Sequence, residues 1–516
     1  MPTNTRSIAV ALTALGLCAA AVVATLAQAP ARPQPQGPGA DRARQFPVKM
    51  HPHDLDSSFI RMPLPAGQEK YGRIDGARLK TFVNEITAVS RKSRDDGELL
   101  WGRIAGTKYD HMVEALVESK FKEFGLTDVR RQDFTLPPQW FPKSWSFSAS
   151  GSGKTLTFKT IQAGRGSKAT PAGGLDLDAV WVGIGSEADF AGRDVKGKLA
   201  VIHSFPMPSV VGHSAGYNGA MRRAVEKGAA AILINVAIPG NLLTAVGAPD
   251  GLTTFSFGTE DAATFQQLLV QGPVKVHLEL ATETRSELKD ANVWGTLPGT
   301  TDEDMIIMAH HDAFYEGALD NASGMAVMLG LAEYYSKIPR EQRRRTLKFV
   351  TTSGHHAGSD GTRWMHDNRA TFLAKTALMI NCEHVSAIQV HWDRFGANIR
   401  RSDNIAARRW WVNGSSGLAR VVLGAYKMFG VTIYDDMDQT TTGDMSHVDR
   451  DAPSVQLIES ALFYHTDQDT PDYVPNPGME AVARAYAKII DDVNGMDRSA
   501  LMPEPVQSTA SRPQQR

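Results

Sequence analysis

Apolar residues recur at two spacings along this chain, and the change from one to the other marks its parts. From Asp75 to about Gly125 the period is helical. Leu79, Phe82, Val83, Ile86 and Val89 share one face, as do Met112, Leu116, Val117 and Phe121. Around Gly151 the pattern turns to strands, for example Leu156-Thr-Phe158. Between about Leu177 and Thr284, short apolar runs at 179–182, 199–202, 231–234 and 274–278 predict strands, with helical stretches such as 220–227 between them. From Ala291 onward four near-continuous apolar segments, 305–308, 346–350, 377–380 and 454–458, alternate with helices. One helix, about 322–336, places Met325, Met328, Leu329, Ala332 and Tyr335 on one side. Strands apolar on both faces must be covered on both. The expected fold is therefore α/β, a mixed, mostly parallel sheet with helices on each face.

Composition narrows the function classes. Across 516 residues, 55 Lys and Arg balance 56 Asp and Glu for a net charge of −1. A nucleic-acid-binding surface ordinarily announces itself through basic excess, so no nucleic-acid partner is expected. With 42% hydrophobic and 22% charged residues, the chain has the makings of a sizeable core. At the N-terminus, Arg6, the apolar run Ile8 to Leu26 and the small residues Ala24, Ala27 and Ala29 read as a secretory leader, residues 1–29. The alternative is an uncleaved anchor, since the run approaches the roughly 18 residues that span a bilayer. The Pro- and Gln-rich stretch that follows favours cleavage, and Leu17 before Cys18 argues against a lipoprotein. A secreted or periplasmic protein without stable membrane insertion is expected. Cleavage leaves Cys382 as the one thiol, in an apolar run where it is expected to be buried and inert. Residues 30–68 read as a linker and 498–516 as a tail.

The chemistry lies where the four buried strands end. His310, His311 and Asp312 follow the first, His355 and His356 the second, Glu383 and His384 the third, and His465 the fourth. In open α/β sheets, ligands gather beyond the strand carboxyl ends. Any one of these histidines alone reads as an ordinary core or surface residue; together they read as a metal site. Asp320, in the turn 317–324 before a helix, is either a further ligand or an N-cap, a duty Asn321 or Ser323 can also fill. Imidazoles mixed with carboxylates suit Zn²⁺, and two ions can share one bridging carboxylate.

Four segments, NVWGTLPG at 292–299, AHHD at 309–312, GALDNASG at 317–324 and YHTDQDTP at 464–471, resemble the M28 family of metallopeptidases over about residues 70–495. That family includes aminopeptidases, glutamate-carboxypeptidase-like enzymes and glutaminyl cyclases. In addition, 194–202 followed by 224–234 resembles the β-rich protease-associated domain often inserted in exported peptidases. The resemblance implies a catalytic domain of residues 69–170 and 286–497, interrupted by a protease-associated domain at 171–285. It implies two Zn²⁺ ions, with His310 and Glu383 on one, His465 on the other and Asp320 bridging. Asp312, two residues on, lies on the same face of an extended segment as His310 and would orient its imidazole. Tyr464 has two readings: a phenol offered to the developing oxyanion, or an aromatic packing under the sheet. The implied activity is hydrolysis of peptide or small amide bonds, in exopeptidase fashion.

One departure is serious. Where the family carries adjacent Glu-Glu, a general base and a zinc ligand, this chain has His355-His356. His356 can still coordinate zinc. His355 can serve as base, since an unperturbed pKa near 6.5 suits neutral pH and neighbouring cations would lower it. In the alternative, His355 or His311 is a further ligand and Asp360, Glu316 or Asp444 takes the proton. Two other functions remain open: a non-hydrolytic binding protein that has lost the base, and a single-zinc acyl transferase of the glutaminyl cyclase kind. Oligomeric state stays open too. Gly151-Ser-Gly-Lys-Thr155 reads as a hairpin turn rather than a phosphate loop. Arg340 to Arg345 reads as a solvated loop, and so do Arg400, Arg401, Arg408 and Arg409, with a substrate carboxylate as the second reading of these four.

Overall fold

The computed structural model describes residue 59 and residues 62–204, 217–249, 251–392, 399–458 and 462–503. The leader at 1–29, nearly all of the linker and the tail beyond 503 lie outside the described residues.

Seven strands form the main sheet: β1 (Thr127–Thr135), β2 (Lys289–Leu297), β3 (Asp304–His310), β4 (Thr346–Thr352), β5 (Thr376–Cys382), β6 (Arg409–Asn413) and β7 (Ser454–Ile458). Their order is β6-β7-β5-β3-β4-β2-β1. β3 runs parallel to β4 and β5, and β5 parallel to β7, whereas β1, β2 and β6 are antiparallel additions. The four parallel strands are the four apolar segments picked out above, so their carboxyl ends all reach one rim.

Alternation along β3 explains why both faces are covered. Met305, Ile307 and Ala309 join a core built with helices α1 (Gly76–Asp95), α2 (Lys108–Glu123), α3 (Gly324–Ser336), α5 (Ser416–Phe429) and α6 (Asn476–Asn494). Ile306 and Met308 face the other way, towards Trp294, Val350 and Met365 of α4 (Asp360–Asp367). Each fully buried Ile or Met here contributes roughly 1.5–3 kcal/mol of transfer free energy. α1 begins at Asp75, whose side chain accepts the Ala77 N–H at 3.0 Å. No helix among the described residues is long and apolar enough to cross a membrane.

A second sheet of eight strands is inserted between β1 and β2. It includes Gln139–Gly151, paired antiparallel along its length with Lys275–Arg285, and a parallel set Leu175–Trp181, Leu199–Ser204, Ala231–Val236 and Thr253–Phe257. The sheet takes in residues 139–163, which precede the expected boundary at 171. The chain leaves and re-enters the main domain along the same antiparallel ribbon. The segment at 151–155 joins Gln139–Gly151 to Lys154–Thr157 as a hairpin.

The arginine run departs from the solvated loop expected of it. Arg345 is fully buried, donating to Val493 O at 2.6 Å and Met496 O at 2.8 Å and pairing with Glu303 at 2.7 Å. It ties the start of β4 to the end of α6.

Candidate metal centre

Asp320 sits at the rim with four imidazoles around its carboxylate. His310 Nε2 lies 3.3 Å and His384 Nε2 3.1 Å from Oδ1, while His356 Nε2 lies 3.4 Å and His465 Nε2 3.0 Å from Oδ2. The turn before α3 aims it there. Gly317 holds φ 55°, and a Cβ on it would meet Ala313 Cβ at 2.4 Å, so only glycine fits. Asp320 is not the helix cap; Asn321 takes that part, accepting the Gly324 N–H at 3.2 Å and donating to Cys382 O at 3.0 Å.

His310 and Glu383 are held from behind. His310 Nδ1 donates to Asp312 O at 3.1 Å, which turns Nε2 towards Asp320. Asp312 adds a second service: its two carboxylate oxygens accept the N–H groups of His355 and His356, at 3.0 and 2.9 Å. Glu383 is buried and tied through Oε2 to Asn381 Nδ2 at 2.6 Å and Gln456 Nε2 at 3.2 Å. His310, Glu383 and His384 offer ligand atoms within 4.8 Å of one another, as do His310, Asp320 and His356.

Electrostatics follow from burial among opposite partners. Burial pushes His310 down, but Asp312 and Asp320 outweigh it and hold the imidazole well above its usual value. Burial pushes the Asp320 carboxyl up, and the surrounding histidines, His356 and His384 foremost, carry it well below the carboxylate range. His356 is lowered, chiefly by burial. His310 Nε2, His356 Nε2 and Asp320 Oδ1 are buried without a hydrogen-bond partner among the described residues. Unpartnered imidazole and carboxylate atoms gathered at such spacings are what divalent transition ions take up.

His355 stands beside this centre rather than in it. Its ring stacks on His310 with centroids 3.9 Å apart, and its Nδ1 lies 2.9 Å from Asp444 Oδ1. Asp444 is held in turn by the Thr352 hydroxyl at 2.6 Å. Burial and His310 lower the His355 pKa, Asp444 and Glu383 raise it, and the net direction is upward. The protein groups alone thus shift it opposite to the lowering expected from cations. Tyr464 is half-buried, stacked on His465 at 3.6 Å and 5.2 Å from His384, so it belongs to the site rather than to packing under the sheet.

Three expectations need correction. His311 points away from Asp320, as the residue after His310 on an extended strand must, and joins Asp110, Glu114 and Asp290 instead. Glu316 pairs with Arg91 at 2.7 Å and takes no place at His355. Arg408 is buried, donating to Val385 O and Thr432 O, and Arg409 pairs with Asp438 at 2.7 Å.

Sequence reasoning left other residues without a role. His384 reaches Asp320 at 3.1 Å, and its φ of 45° turns the chain so that both it and Glu383 come within reach of His310. Asp469 accepts the N–H groups of Leu319 and Asp320. Buried Arg103 donates to His311 O, Glu316 O and Gly317 O, fixing the loop between β3 and Asp320. Arg165 of the inserted domain donates to His356 O at 2.8 Å and covers the Phe314 ring at 4.4 Å. A cleft lined by Leu100, Ile104, Trp140, Phe141, Arg165 and Phe314 opens beside His356.

Residues 292–490 match the family described as Peptidase family M28. That stretch runs from β2 into α6 and carries Asp320 with its four histidines, so over it the chain is similar to that family. The chain is a metallopeptidase-like hydrolase. Aminopeptidase YwaD of Bacillus subtilis is 25% identical over 390 residues, spanning 73% of this chain and 75% of its own. Among solved structures, the Bacillus subtilis zinc aminopeptidase BSAP superposes with a TM-score of 0.60 at 19% identity, covering 86% of this chain and 99% of its own. A Peptidase M28 precursor from Shewanella amazonensis gives 0.66 at 19% identity, covering 85% and 98%. These neighbours share the mixed α/β fold.

Proposed function

We propose that this protein is an exported, two-zinc exopeptidase that removes N-terminal residues from peptides. The observation that carries the reading is the split of Asp320: one oxygen faces His310 and His384, the other His356 and His465. A carboxylate so divided suits two cation positions rather than one. His310, His384 and Glu383 would hold the first ion, and His356 and His465 the second, with Asp320 shared. When bound, such a pair supplies an acidified water and polarises the scissile carbonyl.

The chain's own residues do the rest. Asp444 fixes the His355 tautomer with the proton on Nδ1, leaving Nε2 to take a proton from water and return one to the leaving amine. Tyr464, stacked on His465, offers its phenol to the oxyanion. The cleft beside His356 receives an apolar side chain of the substrate. The inserted sheet is read as a protease-associated domain, and the leader-like N-terminus supports export.

The test is elemental analysis of the purified protein with a panel of aminoacyl and carboxy-terminal peptide substrates. Replacing His310, Asp320 or His465 with Ala should remove the zinc held at Asp320 and the activity together. Full hydrolysis by metal-stripped His310→Ala protein would end the proposal. If the natural chain is inert while a His355→Glu, His356→Glu variant cleaves, the protein is a binder instead. One zinc at the Asp320 centre would favour acyl transfer.

A further inference from the structure

A second group of ligand-type side chains lies behind the first, on the opposite face of the same strand end. α2 contributes Asp110 and Glu114, one turn apart and therefore on one face. β2 contributes Asp290, and His311 follows directly on β3. All four side chains are 0% exposed. His311 Nε2 lies 3.2 Å from Asp110 Oδ1, 3.9 Å from Asp290 Oδ1 and 4.0 Å from Glu114 Oε1.

The outer contacts are made and the inner ones are not. Asp110 Oδ2 accepts the Gly106 N–H at 3.0 Å, Asp290 Oδ1 accepts the Ala291 N–H at 2.8 Å, and Glu114 Oε2 is held by Arg131 and by His111 at 2.8 Å. His311 Nδ1 faces the Thr351 hydroxyl at 2.9 Å. Asp110 Oδ1, Glu114 Oε1, Asp290 Oδ2 and His311 Nε2 have no hydrogen-bond partner among the described residues. Four unpartnered, fully buried polar atoms directed into one space leave a large desolvation penalty uncompensated.

Charge points the same way. Of these three buried carboxylates only Glu114 has a permanent cation against it, Arg131. We infer that Asp110, Glu114, Asp290 and His311 hold a divalent transition cation such as Zn²⁺ or Mn²⁺, distinct from the centre at Asp320. Carboxylates with an imidazole suit such ions, whereas Ca²⁺ favours six to eight oxygens. Ligands at about 2.1 Å from a tetrahedral ion stand about 3.4 Å apart, close to the spacings around His311.

The site's position gives it a structural duty. It joins α2, β2 and the end of β3, and His311 is bonded to His310, so an ion there fixes the backbone from which His310 projects to the other face. None of its four side chains is given a part in the reaction above.

The test uses full-length protein loaded with Zn²⁺ or Mn²⁺, desalted, and read for metal per chain and for melting temperature. The Asp320→Ala protein should keep one ion per chain. The isosteric Asp290→Asn variant should lose that ion, melt lower, and no longer be stabilised by added metal. An Asp320→Ala protein free of metal would overturn the inference, and that measurement does not require Asp290→Asn to fold. Wild-type metal content in Asp290→Asn, or a higher melting temperature, would also overturn it, showing carboxyls that share protons instead. Because Asp290→Asn reads this site and Asp320→Ala the other, either can fail without the other.

Discussion

Asp469 holds the backbone of Asp320: its Oδ2 accepts the Asp320 N–H at 3.1 Å, and its Oδ1 the Leu319 N–H at 2.7 Å. The Asp320 carboxylate is therefore placed by a second, buried acid that reaches across from the segment carrying His465. Burial raises the Asp469 pKa to about 7 against the pull of the Leu319 N–H, so a cation near Asp320 would also favour its ionised form. Replacing Asp469 with Ala should weaken zinc affinity roughly 10–100-fold, as losses behind a metal ligand commonly do. Competition with a chelator measures this. Unchanged affinity in a folded Asp469→Ala protein would show that the turn holds Asp320 unaided.

The pairing of His355 with Asp444 predicts a graded series. His355→Ala removes the proposed base and should lower kcat about 10²–10⁴-fold while leaving metal content intact. Asp444→Asn keeps the shape but upsets the tautomer, so kcat should fall less, with the acid limb of the kcat/KM profile displaced. Loss of metal in His355→Ala would instead make His355 a ligand, the alternative raised by the His-His pair.

The parallel strands were legible because residues buried on both faces leave nearly unbroken apolar runs, as in Met305–Met308. The histidines were legible because they sit directly beyond those runs. What escaped depends on tertiary placement. His384 follows Glu383, and only a left-handed turn lets both neighbours reach one centre. Arg103 and Arg345 have the composition of surface residues, and their burial rests on carbonyls distant in sequence. The inserted sheet begins at Gln139 because its long ribbon pairs with a strand more than a hundred residues later, which no local pattern announces.

The inserted domain also meets the His465 segment. Asp467 Oδ1 accepts the Leu243 N–H at 3.2 Å, and Ala245 donates to His465 O at 2.9 Å. Burial raises the Asp467 pKa to about 7 from an ordinary 3.8. The folded protein therefore keeps a proton there that the unfolded chain releases, and stability falls as pH rises from about 4 to 7. Asp467→Asn retains the acceptor without the titration. In metal-free protein its unfolding free energy should gain on wild type across that window, by an increment on the order of a few kcal/mol. A gap independent of pH would assign the proton elsewhere.

Arg165 carries the other contact from the inserted domain, donating to His356 O at 2.8 Å with its guanidinium 4.4 Å from the Phe314 ring centroid. It bounds the cleft proposed for substrate and steadies the backbone of a proposed zinc ligand. A charged hydrogen bond contributes about 1.5–3 kcal/mol, and the ring contact about 0.5–2 kcal/mol. Arg165→Ala should therefore lower kcat/KM at least about tenfold, equivalent to about 1.4 kcal/mol, mainly through KM. Lys at this position keeps the charge but not the planar fork that serves both contacts, so it should recover part of the loss. If Arg165→Ala loses zinc as well, its main effect is on His356; if kcat/KM is unchanged, the inserted domain takes no part in binding substrate.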